Sequence, residues 1–174
     1  MDSTGILIQI VILVILLIGS GFFSASETAL MSLSKIRIRH MKEEGAKGAK
    51  LVSDLIEEPN KLLSSILVGN NVVNIAATSI STSLFMGLLG DKPGAVPLAT
   101  AVMTVLVLIF GEITPKTIAA NNSEKVAVAV SKPIKLVIFI VRPIVWGFNI
   151  ITNVIFKLLG INDKSAQPYI TEEE

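Results

Sequence analysis

The chain has no cysteine among its 174 residues. A disulfide framework, a thiolate zinc site and a thiol nucleophile are thereby excluded. Aromatic residues make up only 5%, with a single tryptophan and a single tyrosine, so a base-stacking surface for nucleic acid is not expected. Charge is scarce as well. Charged residues are 17% of the chain and the net charge is +1, whereas a soluble domain carries about a quarter charged residues. A balance so near zero offers no global pull on nucleic acid. What is present is apolar: 51% hydrophobic residues and a mean hydropathy of +0.70. They come in long runs rather than at amphipathic spacing, which marks an integral membrane protein.

The runs define an all-α architecture of three transmembrane helices and a juxtamembrane belt. The first helix covers 1–34, with its apolar core at "ILIQIVILVILLIGSGFF". No basic region precedes it, so it reads as a span rather than a cleaved leader. Residues 35–60 form a polar, helical segment on the cytoplasmic surface. The second span covers 61–90 and is crowded with Ser, Thr, Asn and Ala. The third, 95–131, runs into "GEITPK" after the tight turn "GDKPG". In 132–161, Lys135, Arg142, Asn149 and Lys157 recur near multiples of seven, and Pro143 interrupts the middle. A basic stripe on an apolar helix favours a helix lying in the interface over a fourth crossing. Trp146 reads as its interfacial anchor.

Basic residues set the orientation. Lys35, Arg37, Arg39, Lys42, Lys47 and Lys50 follow the first span, and Lys125, Lys132 and Lys135 follow the third. The N-terminus is therefore placed outside, and the C-terminus in the cytoplasm, of a multi-pass protein of the plasma (inner) membrane.

Each span carries a polar cluster: Ser24, Ser26 and Glu27; Asn70, Asn71 and Asn74; and Glu112. Ser24 lies eleven residues before Lys35, Asn70 and Asn74 lie nine and thirteen after Lys61, and Glu112 lies thirteen before Lys125. At 1.5 Å per residue, each cluster is about 14–20 Å from its basic marker, so packed spans would bring them to one level. Asn70, Asn74 and Thr78 repeat at four-residue spacing and share a face.

Pro115 has no N–H and its ring crowds the carbonyl four residues back, that of Gly111. The sequence therefore predicts a broken helix with a free carbonyl beside the Glu112 carboxylate. Irregular backbone at membrane depth is tolerated where it lines a cavity, and half-helix ends there hold cations. The assembled groups are the Glu112 carboxylate, amide oxygens of Asn70 and Asn74, the Ser24 hydroxyl and a backbone carbonyl. All are hard oxygens. The only histidine, His40, is in the basic surface segment, so soft metals are disfavoured. Such a set suits Mg²⁺.

At these residues the sequence resembles the transmembrane domain of the CorC/CNNM (cyclin M) family of magnesium transporters. "GFFSASETALMSLS", "LLSSILVGNNVVNIAAT" and "FGEITPKTIA" carry the resemblance, which covers about residues 5–165. It implies a homodimer in membrane lipid, each subunit holding one dehydrated Mg²⁺ in an inward-facing cavity, with export coupled to Na⁺ entry. It also implies Ser24, Asn70, Asn74 and Glu112 as ligands, with a backbone carbonyl near Gly111 to Ile118, Gly111 foremost. Ser26, Asn71 and Lys116 would be supporting or sodium-linked groups. The final "YITEEE", within 162–174, resembles the start of the linker to the family's CBS-domain pair.

Plainer roles compete. The asparagines could glue helices by hydrogen bonds. Glu112 could pair with Lys116, and Glu27 could be a structural partner. The small residues Gly19, Ser20, Gly21, Ala25 and Ala29 read as helix-packing positions. A magnesium-sensing scaffold without transport is the main alternative function. A hydrolase using Ser24 or Ser26 lacks a base within reach, because His40 lies beyond the basic marker. The chain is expected not to be an enzyme.

Overall fold

The computed structural model describes residues 3–90 and 92–158. The expected linker 162–174 lies outside them. The chain divides into two compact units, Met1–Val141 and Arg142–Glu174.

In the first unit, α1 (Ser3–Met31) is followed by two short helices, α2 (Lys35–Glu43) and α3 (Ala49–Ile56), and by α4 (Pro59–Leu89). Ser34 caps α2, its hydroxyl accepting from the Arg37 N–H at 3.2 Å. Pro59 opens α4, where a missing N–H costs nothing. A third path runs from Ala95 to Asn121 as α5 (Ala95–Leu106), a π-helical segment (Val107–Ile113) and α6 (Thr114–Asn121). Then α7 (Ser123–Leu158) begins. Among the described residues there is no strand.

Among the described residues four helical paths, not three, are long and apolar enough to cross a membrane: Ser3–Met31, Pro59–Leu89, Ala95–Asn121 and Ser123–Thr152. The difference from the three expected spans lies in α7. Pro133 and Pro143 are both contained within it without ending it, and it starts at Ser123, so residues 123–131 belong to it rather than to the third path. Two side chains of the expected basic stripe, Asn149 and Lys157, lie outside the described side chains. Of the second unit, residues 142–158 are described and are helical, with Trp146 exposed and Val145 buried.

The hydrophobic core of the first unit gathers at one end. Phe23, Ala29, Leu30 and Leu33 meet Ile38, Val52 and Leu55 of the short helices, Leu62 and Ile66 of α4, Ala119 of α6, and Ala127, Val130 and Ile134 of α7. The N-terminal half of α1 instead exposes Leu7, Ile8, Ile15 and Ile18, as expected of residues facing acyl chains. Five threonine hydroxyls along the spans are satisfied within their own helices. Thr78, Thr82, Thr100, Thr104 and Thr117 each donate to the carbonyl four residues back, at 2.8–3.0 Å. Hydroxyls can thus sit in apolar helices without water.

The expected break at "GEITPK" is absent, and this corrects the sequence reading. The π segment absorbs the proline instead. Thr114 N–H donates to the Ile109 carbonyl, five residues back. In that register the donor missing at Pro115 would have addressed the Phe110 carbonyl, not that of Gly111. Pro115 then falls in the first turn of α6, where its lack of an N–H is tolerated. The helical path continues, with an extra residue in one turn.

A candidate cation site between three helices

The π segment and α6 pack against α1, which also packs along α4. Two glycines allow the close approach. Gly111 is buried, and a Cβ there would lie 2.6 Å from Ser20 Oγ. A Cβ on Gly21 would lie 3.0 Å from the Phe110 carbonyl oxygen and 3.0 Å from Pro115 Cγ. Gly111 is therefore not an open stretch of backbone. It is the point where α1 touches the π turn. The carbonyl that lost its donor to Pro115, Phe110 O, faces α1 at Gly21.

Around this contact the polar residues converge. Asn70 Nδ2 donates to Glu112 Oε1 at 3.2 Å, while Asn70 Oδ1 accepts from Ser20 Oγ at 3.3 Å and from Asn74 Nδ2 at 3.4 Å. The second carboxylate oxygen, Glu112 Oε2, pairs with Lys116 Nζ at 3.1 Å. Lys116 Nζ also lies 3.2 Å from Glu27 Oε2. The wider π turn matters here, because an added residue rotates everything before it relative to everything after it. It sets where Glu112 points relative to α5.

Among the described residues four buried side-chain oxygens have no hydrogen-bond partner: Gln9 Oε1, Ser24 Oγ, Asn74 Oδ1 and Ser81 Oγ. Ser24, 1% exposed, lies one turn after Ser20 on α1, and Asn74 one turn after Asn70 on α4. Buried polar atoms are nearly always paired, so an unpaired one calls for a missing partner. A cation would satisfy an oxygen that has no donor left to meet it. No group of three or more His, Cys, Asp or Glu side chains with metal-binding geometry occurs among the described residues. The donor set is one of amides, hydroxyls and a carboxylate, which is chemistry for a hard ion.

Of the residues singled out from the sequence, Asn70, Asn74, Glu112 and Lys116 are brought together, with Gly111 packed beside them. Ser24 is buried on α1 with its hydroxyl unpaired. Ser26 is fully buried and donates to the Phe22 carbonyl at 2.6 Å, so its hydroxyl is engaged within its own helix. Asn71 is exposed, lining a shallow open hollow with Asn74, Ile75, Thr78 and Ser79. His40 lies on α2 with Nδ1 3.3 Å from Glu44 Oε2. Sequence reasoning missed Ser20 as a member of the network. Its position four residues before Ser24 and seven before Glu27 puts it on their helical face, a signal that was available.

These features define a helical multi-pass membrane domain with an oxygen-rich polar cluster in its interior. The chain belongs to the cyclin M transmembrane N-terminal domain family, whose model matches residues 11–174. It is 42% identical over 174 residues to a UPF0053 protein of Haemophilus influenzae, covering all of this chain and 41% of that protein. It is 43% identical over 142 residues to the UPF0053 inner membrane protein YfjD of Escherichia coli, covering 82% of this chain and 33% of that one. A protein of Salmonella typhimurium named polyamine export protein is 30% identical over 164 residues, covering 88% of this chain and 37% of its own length. The chain thus spans about two fifths or less of the length of these relatives.

Proposed function

We propose that this domain carries Mg²⁺ out across the membrane, with Na⁺ entry as the driving gradient. One observation carries the reading. Side chains from α1, α4 and the π segment meet around Glu112, and one turn along α1 and α4 from Ser20 and Asn70 the buried Ser24 Oγ and Asn74 Oδ1 lack partners. Glu112, Asn70, Asn74 and Ser24 are the proposed ligands. With Gly111 packed against Ser20, the carbonyl ligand is reassigned to Phe110. A single carboxylate among neutral oxygens holds a divalent ion without trapping it, as a carrier requires.

The domain works as a homodimer and not as an enzyme. It crosses the membrane three times, N-terminus outside, with α7 from residue 132 onward as the belt. The belt reading is supported by what the first half of α7 packs on. Ala127, Val130 and Ile134 join a core with Ile38, Val52 and Leu55 of the juxtamembrane helices. Arg37 of α2 also donates to Glu124 of α7. The same core includes Phe23 and Leu30 of α1 and Leu62 of α4, so α7 starts where the spans meet the basic juxtamembrane helices, the level at which an interfacial helix lies.

In proteoliposomes, Glu112→Ala and Asn74→Ala are expected to abolish Mg²⁺ flux while the protein still purifies as a dimer. Normal flux in both variants overturns the site. Bound Mg²⁺ with no flux in the full-length protein would instead favour a magnesium-sensing scaffold. A second substrate reading rests on a specific feature. Two carboxylates hold one primary ammonium, Lys116 Nζ, at 3.1 and 3.2 Å. The ammonium of a polyamine could take the same seat, and a relative is named a polyamine export protein. Spermidine flux that exceeds Mg²⁺ flux in the same vesicles would select it.

A further inference from the structure

The cluster already contains a cation of its own. Lys116 Nζ sits between Glu112 Oε2 on the π segment and Glu27 Oε2 on α1. The ligand set proposed above uses neither Glu27 nor Lys116, yet Lys116 already contacts one of the two Glu112 oxygens. The other is taken by the Asn70 amide. Each of these oxygens keeps a second lone-pair direction, but an ion seated on the carboxylate meets the like charge of the ammonium, 3.1 Å from Oε2.

We infer that Lys116 is a tethered competitor: its ammonium holds Glu112 when no transported ion is bound, and withdraws onto Glu27 when a divalent cation takes Glu112. The inference rests on the Mg²⁺ reading of this site. The geometry suits the exchange. Lys116 lies four residues after Glu112, one helical turn away, and its four-carbon stem with a single compact charge can pivot between acceptors. Both carboxylates are already within ion-pair distance, so withdrawal means losing one contact and keeping the other.

Charge accounting gives the exchange a purpose. Two carboxylates and one ammonium sum to −1. A divalent ion makes this +1, with the ion on Glu112 and the lysine on Glu27. Without the lysine, two carboxylates would face the ion and neutralise it fully. Lys116 and Glu27 are 41% and 43% exposed and Glu112 26%, so the repulsion is partly screened, but at contact distance it still opposes the ion. The lysine thus weakens resting affinity and, on swinging back, helps expel the ion. Glu27 does the opposite: it draws the lysine off Glu112 and so makes room for the ion.

A merely structural ion pair predicts that breaking it from either side weakens the site. The tethered-competitor arrangement predicts opposite signs. Mg²⁺ titration of the purified full-length protein, read by calorimetry or by Mg²⁺-dependent thermal shift, decides between them. Lys116→Met is expected to bind Mg²⁺ about tenfold more tightly than wild type, and Glu27→Gln about tenfold more weakly, the usual scale of coupling between sites. Lys116→Met should also slow Mg²⁺ release in proteoliposomes. Weaker or unchanged binding in Lys116→Met, with wild type binding normally, overturns the inference and leaves the Mg²⁺ reading standing. Wild type binding no better than Glu112→Gln overturns both. If Lys116→Met does not fold, the double variant Glu27→Gln/Lys116→Met carries the test. It should bind more tightly than Glu27→Gln, and equal or weaker binding overturns the inference.

Discussion

Asn70 and Glu112 stand on different helices, forty-two positions apart, and meet through a 3.2 Å hydrogen bond from Asn70 Nδ2 to Glu112 Oε1. Because Asn70 also accepts from Ser20, this one side chain ties α4 to both α1 and the π segment. Asn70→Ala leaves a half-buried carboxylate oxygen and a buried hydroxyl without their partner. The expected result is a stability loss of about 1–3 kcal/mol, the cost of unsatisfied buried groups, together with loss of Mg²⁺ flux. Thermal denaturation in detergent and flux in proteoliposomes check the two effects on one preparation.

The approach of α1 to the π turn is tight enough to be tested by a single methyl. Gly111→Ala puts a Cβ 2.6 Å from Ser20 Oγ. Overpacking of this kind costs about 1–3 kcal/mol, so the melting temperature should fall. Adding Ser20→Ala removes the clashing oxygen, and the double variant should recover part of the loss.

Pro115 disfavours an ordinary α-helical turn through 107–115, because it has no N–H and its ring crowds the carbonyl four residues back. Pro115→Ala restores an N–H and lets an ordinary α-helical turn form through 107–115. That shift of one residue would turn Glu112 by about 100° away from Asn70. The prediction is a protein at least as stable as wild type whose Mg²⁺ flux is lost. A melting temperature and a flux both unchanged would mean that the π turn has another cause.

Arg37 on α2 and Glu124 on α7 form an ion pair with both side chains well exposed. Its hydrogen bond to Glu124 raises the Arg37 pKa above the ordinary arginine value. A raised pKa adds stability that is present below the unfolded value and is lost only as pH climbs through the folded one. The contribution is therefore flat across neutral pH. Exposed pairs contribute little and are screened by salt. Arg37→Ala should lower the melting temperature slightly at low ionic strength, and the difference from wild type should vanish in high salt.

The absence of cysteine makes topology directly readable. With three crossings, Ser3→Cys and Gln167→Cys react with an impermeant maleimide from opposite sides of sealed inside-out vesicles. With four crossings they react from the same side.

Much of the site was legible because it is written in depth. Distance along a membrane helix is a ruler, so polar residues equally far from basic markers come to one level when spans pack. That is how Asn70, Asn74 and Glu112 could be placed together without coordinates. Glu27 and Lys116 were harder. Each has several partners compatible with its depth, and only the rotation of α1 against α6 selects the 3.2 Å contact between them.

The proline was misread for a related reason. A proline removes one donor and adds one steric clash, and both a broken helix and a widened turn accommodate that locally. The choice was made by the neighbour. Gly21 and Gly111 let α1 press against the turn, and a continuous π-helical path keeps that contact whole, where a break would spread the helices. The same holds for α7: Pro133 and Pro143 are compatible with interruption, yet the helix runs through both.

By itself, then, the order of residues determined the membrane as solvent, the helical class and the polar level within the spans, since each follows from composition or from spacing along a single helix. Rotation and contact between helices were decided only by the tertiary structure: the π turn, the burial of Gly111 against Ser20, and the lysine shared by two carboxylates. These depend on which faces pack together, and short-range patterns along one chain do not specify the angle between two helices.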